Sequence, residues 1–114
     1  MSATPPDARL AAGVEASAFL RLAEQQGGFG AVLHKGDAER GTLLLAVNQR
    51  GVPIACLARQ LGGDGQYRWS QVSPGESDWP DFLKRRVRND PDEWQIELDI
   101  PLAERFIAET TGLG

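Results

Sequence analysis

The chain has 114 residues, of which 41% are hydrophobic and 25% are charged, and it carries a formal net charge of −4. This length and this mixture are typical of one folded domain and exclude a largely disordered chain. The negative charge disfavours nonspecific binding to nucleic acid or to anionic lipid, because both are themselves negatively charged.

The ends of the chain and its cysteine content predict where the domain lies and in which compartment. Residues 9–110 are predicted to form one domain, between a frayed tail at residues 1–8 and a loose end at residues 111–114. The tail lacks the basic start and apolar stretch of a secretory signal, and no apolar run approaches the roughly 20 residues that cross a membrane. One cysteine, Cys56, and one histidine offer neither a disulfide nor an evident metal site. We therefore expect a cytoplasmic protein without metal, cofactor or membrane contact.

The first predicted element is an amphipathic helix. Its apolar side chains recur at the spacing that places them on one helix face: Ala16, Phe19, Leu20 and Ala23. Gly27 and Gly28 follow, and glycine adopts the left-handed conformation that ends a helix. The pattern predicts a helix over residues 14–26.

Four strands are predicted next. Residues 29–35, 42–48 and 52–59 are short and aliphatic, and glycine-containing turns separate them, which indicates an antiparallel meander. Residues 67–72 add a fourth strand after a glycine-rich loop at residues 62–65.

The second of these strands does not alternate over residues 42–47, since residues 43–47 are all apolar, so both faces of the sheet need to be covered. Three helices would cover one face fully and the other partly. We therefore hypothesise that a second copy of the chain covers the remainder, as a homodimer.

The second half of the chain predicts a helix, a strand and a final helix. Ser77, Asp78 and Pro80 are typical of the start of a helix, which continues to about residue 89. Residues 94–100 alternate between apolar and polar side chains, as a strand does. The last helix has four residues on its apolar side: Leu102, Ala103, Phe106 and Ile107. The predicted fold class is α+β, an antiparallel sheet of four to five strands with three helices, in the order α-β-β-β-β-α-β-α.

Sequence motifs give no indication of catalysis. The chain lacks a Walker A loop, a dinucleotide-binding glycine motif, a nucleophile elbow, paired cysteines and a zinc-protease motif. His34 and Cys56 could in principle form a base and a nucleophile, but Cys56 lies in an apolar strand, where free cysteine usually packs as a small hydrophobic residue. We predict no catalytic residue and favour a protein that is not an enzyme.

Residues 84–88 form the one concentrated basic segment of an acidic chain. On a helix, Lys84, Arg85 and Arg88 point away from the apolar side, which makes them a candidate binding surface for phosphate or an acidic partner. Cations late in a helix also suit the negative end of its dipole, so an ordinary solvated surface is the competing interpretation.

Arg86 differs from these cations because it falls on the apolar side of the helix. Such an arginine either extends its head to water or pairs with a carboxylate inside the fold. We predict a structural ion pair, with Glu97, Asp99 and Asp90 as the candidate partners.

The loop at residues 35–41 gathers charged side chains between two glycines, so Lys35 and Asp37 are candidate binding residues. Glycine and aspartate also favour turns for backbone reasons alone, and a solvated loop is the competing interpretation. An alternative function is a small-ligand enzyme or sensor in which Lys35 and Asp37 share a polar site with Asp90 and Asp92.

Aromatic residues suggest a further alternative. Trp79 and Trp94 are predicted to lie in the core, whereas Tyr67 and Trp69 are candidate surface aromatics. With the basic helix, Tyr67 and Trp69 would form a nucleic-acid surface. The acidic net charge makes this the weakest of the alternatives.

Three segments also carry a family resemblance: the helix at residues 16–26 with its Gly-Gly-Phe ending, the Lys-Gly-Asp-Ala turn at residues 35–38, and the Asp-Pro-Asp-Glu-Trp stretch at residues 90–94. Over about residues 9–109 the chain resembles a small alphaproteobacterial family of uncharacterised proteins, the domain of unknown function numbered fourteen ninety-one. The resemblance implies a bacterial intracellular protein of this same length. It implies no activity, cofactor or catalytic residue.

The leading functional hypothesis is a non-catalytic cytoplasmic protein that binds another macromolecule, in particular another protein. The sheet face that the helices leave open and the basic helix are its candidate surfaces.

Overall fold

The computed structural model describes residues 11–75 and 78–112 of the chain. Three helices and five strands follow one another there in the predicted order: α1 (Ala12–Gln25), β1 (Phe29–His34), β2 (Leu43–Gln49), β3 (Val52–Leu61), β4 (Tyr67–Val72), α2 (Trp79–Asn89), β5 (Trp94–Asp99) and α3 (Ala103–Thr111). The predicted tail at residues 1–8, Ser77 at the predicted helix start and residues 113 and 114 lie outside the described residues.

The strands form one sheet in the order β1-β5-β2-β3-β4. β2, β3 and β4 pair antiparallel, as the meander predicts, but β5 lies between β1 and β2. Because β5 pairs antiparallel with β1 and parallel with β2, the sheet is mixed, and the prediction of a purely antiparallel sheet is wrong. The connection at residues 35–42 passes the end of β5, and the long segment between β2 and β5 supplies the crossover that a parallel pair requires.

Helices pack on both faces of this sheet. α1 and α3 pack on what we call the first face, together with Leu43, Leu45 and Val47 of β2. α2 packs on the opposite, second face, where Phe82 joins a cluster with Leu44. β2 is buried from Leu43 to Asn48, which confirms that its apolar side chains lie on both faces.

β5 has the predicted alternation, yet it is an interior strand of the sheet, with β1 on one side and β2 on the other. Its apolar side chains are buried on the first face: Trp94, Ile96 and Leu98. Its polar side chains alternate onto the second face: Gln95, Glu97 and Asp99. A strand with this pattern usually has one face in water. Here each polar side chain has a hydrogen-bond partner within the fold, so the second face carries a row of polar side chains along β5.

Local signals determine the helix ends. α1 ends before Gly27, whose φ of 85° lies in the left-handed region that glycine adopts readily. Asp78 caps α2 by accepting a hydrogen bond from the backbone N–H of Asp81 at 2.8 Å. α3 begins only at Ala103, and Leu102 is 58% exposed. The prediction that Leu102 shares the buried side is wrong, because it precedes the first helical residue and helical spacing does not apply to it.

Candidate functional site

A small groove opens on the second face between α2 and β1. This cavity, which we call the α2 groove, has a volume of about 80 Å³. Its lining residues are Leu33, Ala46, Asn48, Pro53, Ala55, Cys56, Trp79, Leu83 and Glu97. Pockets for free small ligands usually measure roughly 300–1,000 Å³. The α2 groove therefore suits a single side chain better than a whole metabolite.

The groove has a polar pair among its apolar walls. Asn48 is buried at the end of β2 and donates from Nδ2 to Oε2 of Glu97 at 2.7 Å. The pair is expected physically, because a buried amide without a partner is costly. A carboxylate can accept several hydrogen bonds, so Glu97 keeps capacity for a further donor. The α2 groove thus combines apolar walls with an acidic floor.

Cys56 lines the groove but is not arranged for chemistry. It is buried on the second face, and burial raises the pKa of its thiol to about 12. The thiol therefore stays protonated at neutral pH, whereas the thiolate is the nucleophile. His34 lies on β1, roughly three strand spacings or 14 Å away, and donates from Nε2 to the carbonyl oxygen of Pro91 at 2.9 Å.

Arg86 pairs inside the fold with Glu93. Its Nε and Nη2 donate to the two carboxylate oxygens of Glu93 at 2.9 and 2.7 Å. These hydrogen bonds raise the pKa of Arg86 above its ordinary value. The guanidinium carbon also lies 5.7 Å from the ring centre of Phe82. Because Glu93 is only 5% exposed, the pair is a structural contact beneath α2.

The three predicted partners of Arg86 accept hydrogen bonds elsewhere: Glu97, Asp99 and Asp90. That choice of partners is wrong. Glu93 precedes β5 in a turn, where no periodic pattern indicates whether a side chain points inward.

Asp99 instead stabilises the turn between β2 and β3. Its two carboxylate oxygens accept from the backbone N–H groups of Arg50 and Gly51 at 3.0 and 2.8 Å. Both turn residues have positive φ, at 53° and 78°, as in a two-residue type I′ hairpin. Arginine rarely adopts such a φ, and the carboxylate offsets part of that cost.

α2 is positioned over the sheet by side chains of β5 and its preceding turn. Buried Gln95 donates from Nε2 to the carbonyl oxygen of Leu83 at 2.8 Å, close to the Arg86 and Glu93 pair. These contacts leave Leu83 and Trp79 bordering the α2 groove.

The basic segment of α2 lies on its outer side. Lys84, Arg85 and Arg88 are all exposed there, as helical spacing predicts. α2 ends at Asn89, so Arg88 also lies in the last turn, where a cation suits the helix dipole.

Tyr67 and Trp69 lie on the opposite side of the sheet from this basic segment. Trp69 packs on the first face, with its ring centre 5.7 Å from that of Phe19 and the guanidinium of Arg59 at 4.4 Å. Trp69 is therefore partly buried, whereas Tyr67 is exposed. The two aromatics and the basic helix do not form the single nucleic-acid surface that the sequence suggested.

The loop at residues 35–41 is packed against the start of β5. A Cβ on Gly36 would lie 2.1 Å from the carbonyl oxygen of Asp92, and one on Gly41 would lie 2.3 Å from the same atom. The backbone N–H of Asp37 donates to that oxygen at 3.0 Å, and Nε1 of Trp94 donates to the carbonyl of Asp37 at 2.8 Å. We call this contact the loop junction. Two of the three segments that carry the family resemblance meet there.

The alternative polar site lies around this junction. The structure brings the loops of Asp37 and Asp92 together, but the Asp37 carboxylate accepts from the backbone N–H groups of Arg40 and Glu39, which lowers the pKa of Asp37. Lys35, Asp37, Asp90 and Asp92 are exposed. None of them lines the α2 groove or the two depressions of about 290 and 300 Å³ beside α3.

No group of three or more His, Cys, Asp or Glu side chains within residues 11–75 and 78–112 is arranged to hold a metal ion. No helix of those residues is long and apolar enough to span a membrane.

Two contributors to the second face are absent from the sequence predictions. Asn48 lies at the end of the predicted strand 42–48, and Glu93 lies just before the predicted strand 94–100, and for neither does the sequence predict a buried polar contact. The one available signal for Asn48 is that a polar residue follows five buried positions of a central strand.

Comparison with solved structures shows the same fold elsewhere. A crystal structure of a DUF1491 family protein from Caulobacter crescentus CB15 is 34% identical, with a TM-score of 0.65 over 78% of this chain and 86% of that chain. An NMR structure of a DUF1491 family protein from the same organism is 30% identical, with a TM-score of 0.65 over 83% and 91%. The solution structure of protein Atu0922 from A. tumefaciens is 22% identical, with a TM-score of 0.64 over 80% and 86%, and shows the fold alone.

No curated protein matches this sequence closely enough to count as a relative. The family model described as "Protein of unknown function (DUF1491)" matches residues 10–108, which confirms the resemblance seen in the sequence. The chain therefore belongs to the bacterial DUF1491 family, whose function is not established.

Proposed function

We propose that this protein is a non-catalytic module that binds another protein, and that the α2 groove receives a basic side chain of the partner. The observation that carries the proposal is the acidic floor of the groove, where Glu97 lies among apolar walls.

The size and chemistry of the groove support this kind of occupant. Lysine and arginine have apolar stems and cationic heads, and such stems pack readily along apolar surface. Leu33 of β1 and Leu83 of α2 offer that surface, and Glu97 offers an acceptor for the head. The net charge of −4 favours the approach of a basic partner.

We further propose that the protein works in the cytoplasm. The lone thiol of Cys56 supports this location, since it is free and buried rather than part of a disulfide.

The proposal is tested by capturing partners with tagged full-length chain from extract of the producing cells. Glu97→Gln keeps the size of the side chain and its acceptor for Asn48 but removes the charge. We expect recovery of the partner to fall at least about tenfold, because the partner's cation loses its counter-charge. Leu61→Lys is the matched control, since Leu61 is exposed on β3 away from the groove.

Undiminished capture by Glu97→Gln would contradict the proposal. A second candidate surface, for an acidic partner, is the exposed basic side of α2. It is tested in the same experiment by neutralising Lys84, Arg85 and Arg88 to glutamine. Loss of capture by that variant, with Glu97→Gln unaffected, would favour the basic surface instead.

A further inference from the structure

β1 is an edge strand that lacks the usual protection of edges. Among the residues that the structure describes, β5 is the one neighbour of β1 in the sheet, so the other side of β1 presents backbone N–H and C=O groups without a strand partner from those residues. Edge strands are commonly protected by charged residues or proline, and β1 from Phe29 to His34 contains no Lys, Arg, Asp, Glu or Pro. The opposite edge, β4, carries Arg68, which pairs with Asp64.

The exposed apolar side chains of β1 lie on both faces of the sheet. Phe29 is opposite Asp99 and so lies on the second face, where it is 56% exposed. Val32 is opposite Ile96 and so lies on the first face, where it is 44% exposed. A partner resting on one face would cover only one of them. A strand added in the plane of the sheet would cover both.

We propose that the occupant is β1 of a second copy, paired antiparallel across a two-fold axis to form a continuous ten-stranded sheet. A two-fold axis brings each residue close to its own copy or to near neighbours, so a charged strand would repel itself. β1 has no such charge. The proposal goes beyond the binding function of the α2 groove and does not rest on it.

The position of α1 fits this arrangement. Leu20 of α1 packs on Gly30 of β1 beside Leu98 of β5, so the helix lies above these two strands. With strands about 4.8 Å apart, two copies of α1 would lie roughly 10 Å apart across the axis, which is the ordinary spacing of packed helices.

The flank of α1 that would face its copy is electrically balanced. Phe19 of α1 contacts Trp69 of β4, so the flank of α1 that carries Phe19 faces away from the β1 edge. Helical spacing places Ser17, Arg21 and Glu24 on the other side of Leu20, toward the β1 edge, and all three are exposed. One cation and one anion per copy allow this flank to meet itself without net repulsion. The homodimer predicted from the sequence is thus assigned to the sheet edge and not to the open second face.

The test is the mass of the purified full-length chain, measured by light scattering across a range of micromolar concentrations. We expect a concentration-dependent dimer of about twice 12.4 kDa. Phe29→Lys and Val32→Lys place a charge on opposite faces of the same edge. Each is expected to raise the dissociation constant at least about tenfold, since each would bury a charge without a partner.

Leu61→Lys is the control for adding a charge elsewhere, and circular dichroism establishes that each variant is folded. A wild-type mass of 12.4 kDa at every concentration would overturn the proposal. A dimer that responds to Phe29→Lys but not to Val32→Lys would also overturn it, because that pattern indicates contact through the second face. We expect Glu97→Gln to leave the mass of the dimer unchanged, because Glu97 lies in the α2 groove and not on the open side of β1. The dimer measurement and the partner capture can therefore fail independently of each other.

Discussion

At the scale of single residues, the second face is organised by polar side chains that satisfy one another. Arg86 with Glu93, Asn48 with Glu97, and Gln95 with a backbone carbonyl all lie under or beside α2. Within residues 11–75 and 78–112, no buried side-chain nitrogen or oxygen lacks a hydrogen-bond partner. Such a network orients α2, because each contact is satisfied in one arrangement of the helix.

Arg86→Met tests the pair beneath α2. The substitution keeps most of the apolar stem but leaves the Glu93 carboxylate buried without its counter-ion, so we expect a loss of about 3 kcal/mol in the free energy of unfolding. Urea denaturation provides the measurement. Arg105→Met is the control because it breaks an exposed pair with Glu109 and should cost less than about 0.5 kcal/mol. Equal losses of unfolding free energy for the two variants would contradict the expectation that the buried pair of Arg86 and Glu93 stabilises the fold more than an exposed pair does.

The sequence could locate Arg86 on the inner side of its helix but could not identify its partner. Helical spacing reports direction within one helix, whereas the partner depends on how two elements pack. Glu97 was available as a candidate because it alternates with apolar residues. Glu93 lies just before that alternation begins, so no periodicity indicates its inward direction.

At the scale of elements, every helix and strand of the fold could be predicted from local patterns, but the position of β5 could not. Apolar alternation identifies β5 as a strand and says nothing about its neighbours. A short turn fixes the pairing of β2 with β3. The longer loop after β1 permits β5 to lie between β1 and β2. The contacts of the loop junction hold the start of β5 in that position.

Gly36→Ala tests the loop junction. A Cβ at this position would lie 2.1 Å from the carbonyl oxygen of Asp92, so the loop must shift away from β5. We expect a destabilisation of more than about 2 kcal/mol, seen as a lower melting temperature. Gly63→Ala is the control, because a Cβ there meets no atom within 4 Å, and its effect should stay within about 0.5 kcal/mol. Similar melting temperatures for the two variants would contradict the close contact.

At the scale of the whole molecule, the sequence predicts that the helices cover one face of the sheet fully and the other partly, but Val32 on the first face is 44% exposed, so the helices leave part of both faces uncovered. The sequence could not show where, because that depends on α2 covering the β2 and β3 side and leaving β1 open. The result is two distinct surfaces: the α2 groove with its acidic floor, and the uncharged β1 edge. Members of the same family with solved structures share the fold.

The central claim is that the α2 groove is occupied by another protein, and site-specific photo-crosslinking in living cells tests it most directly. A photoreactive residue replaces Pro53, which is exposed and lines the groove, or Leu61 as the control on the same strand. We predict a covalent adduct to a different protein from position 53 and none from position 61. The absence of an adduct from position 53, or equal adducts from both positions, would contradict the claim.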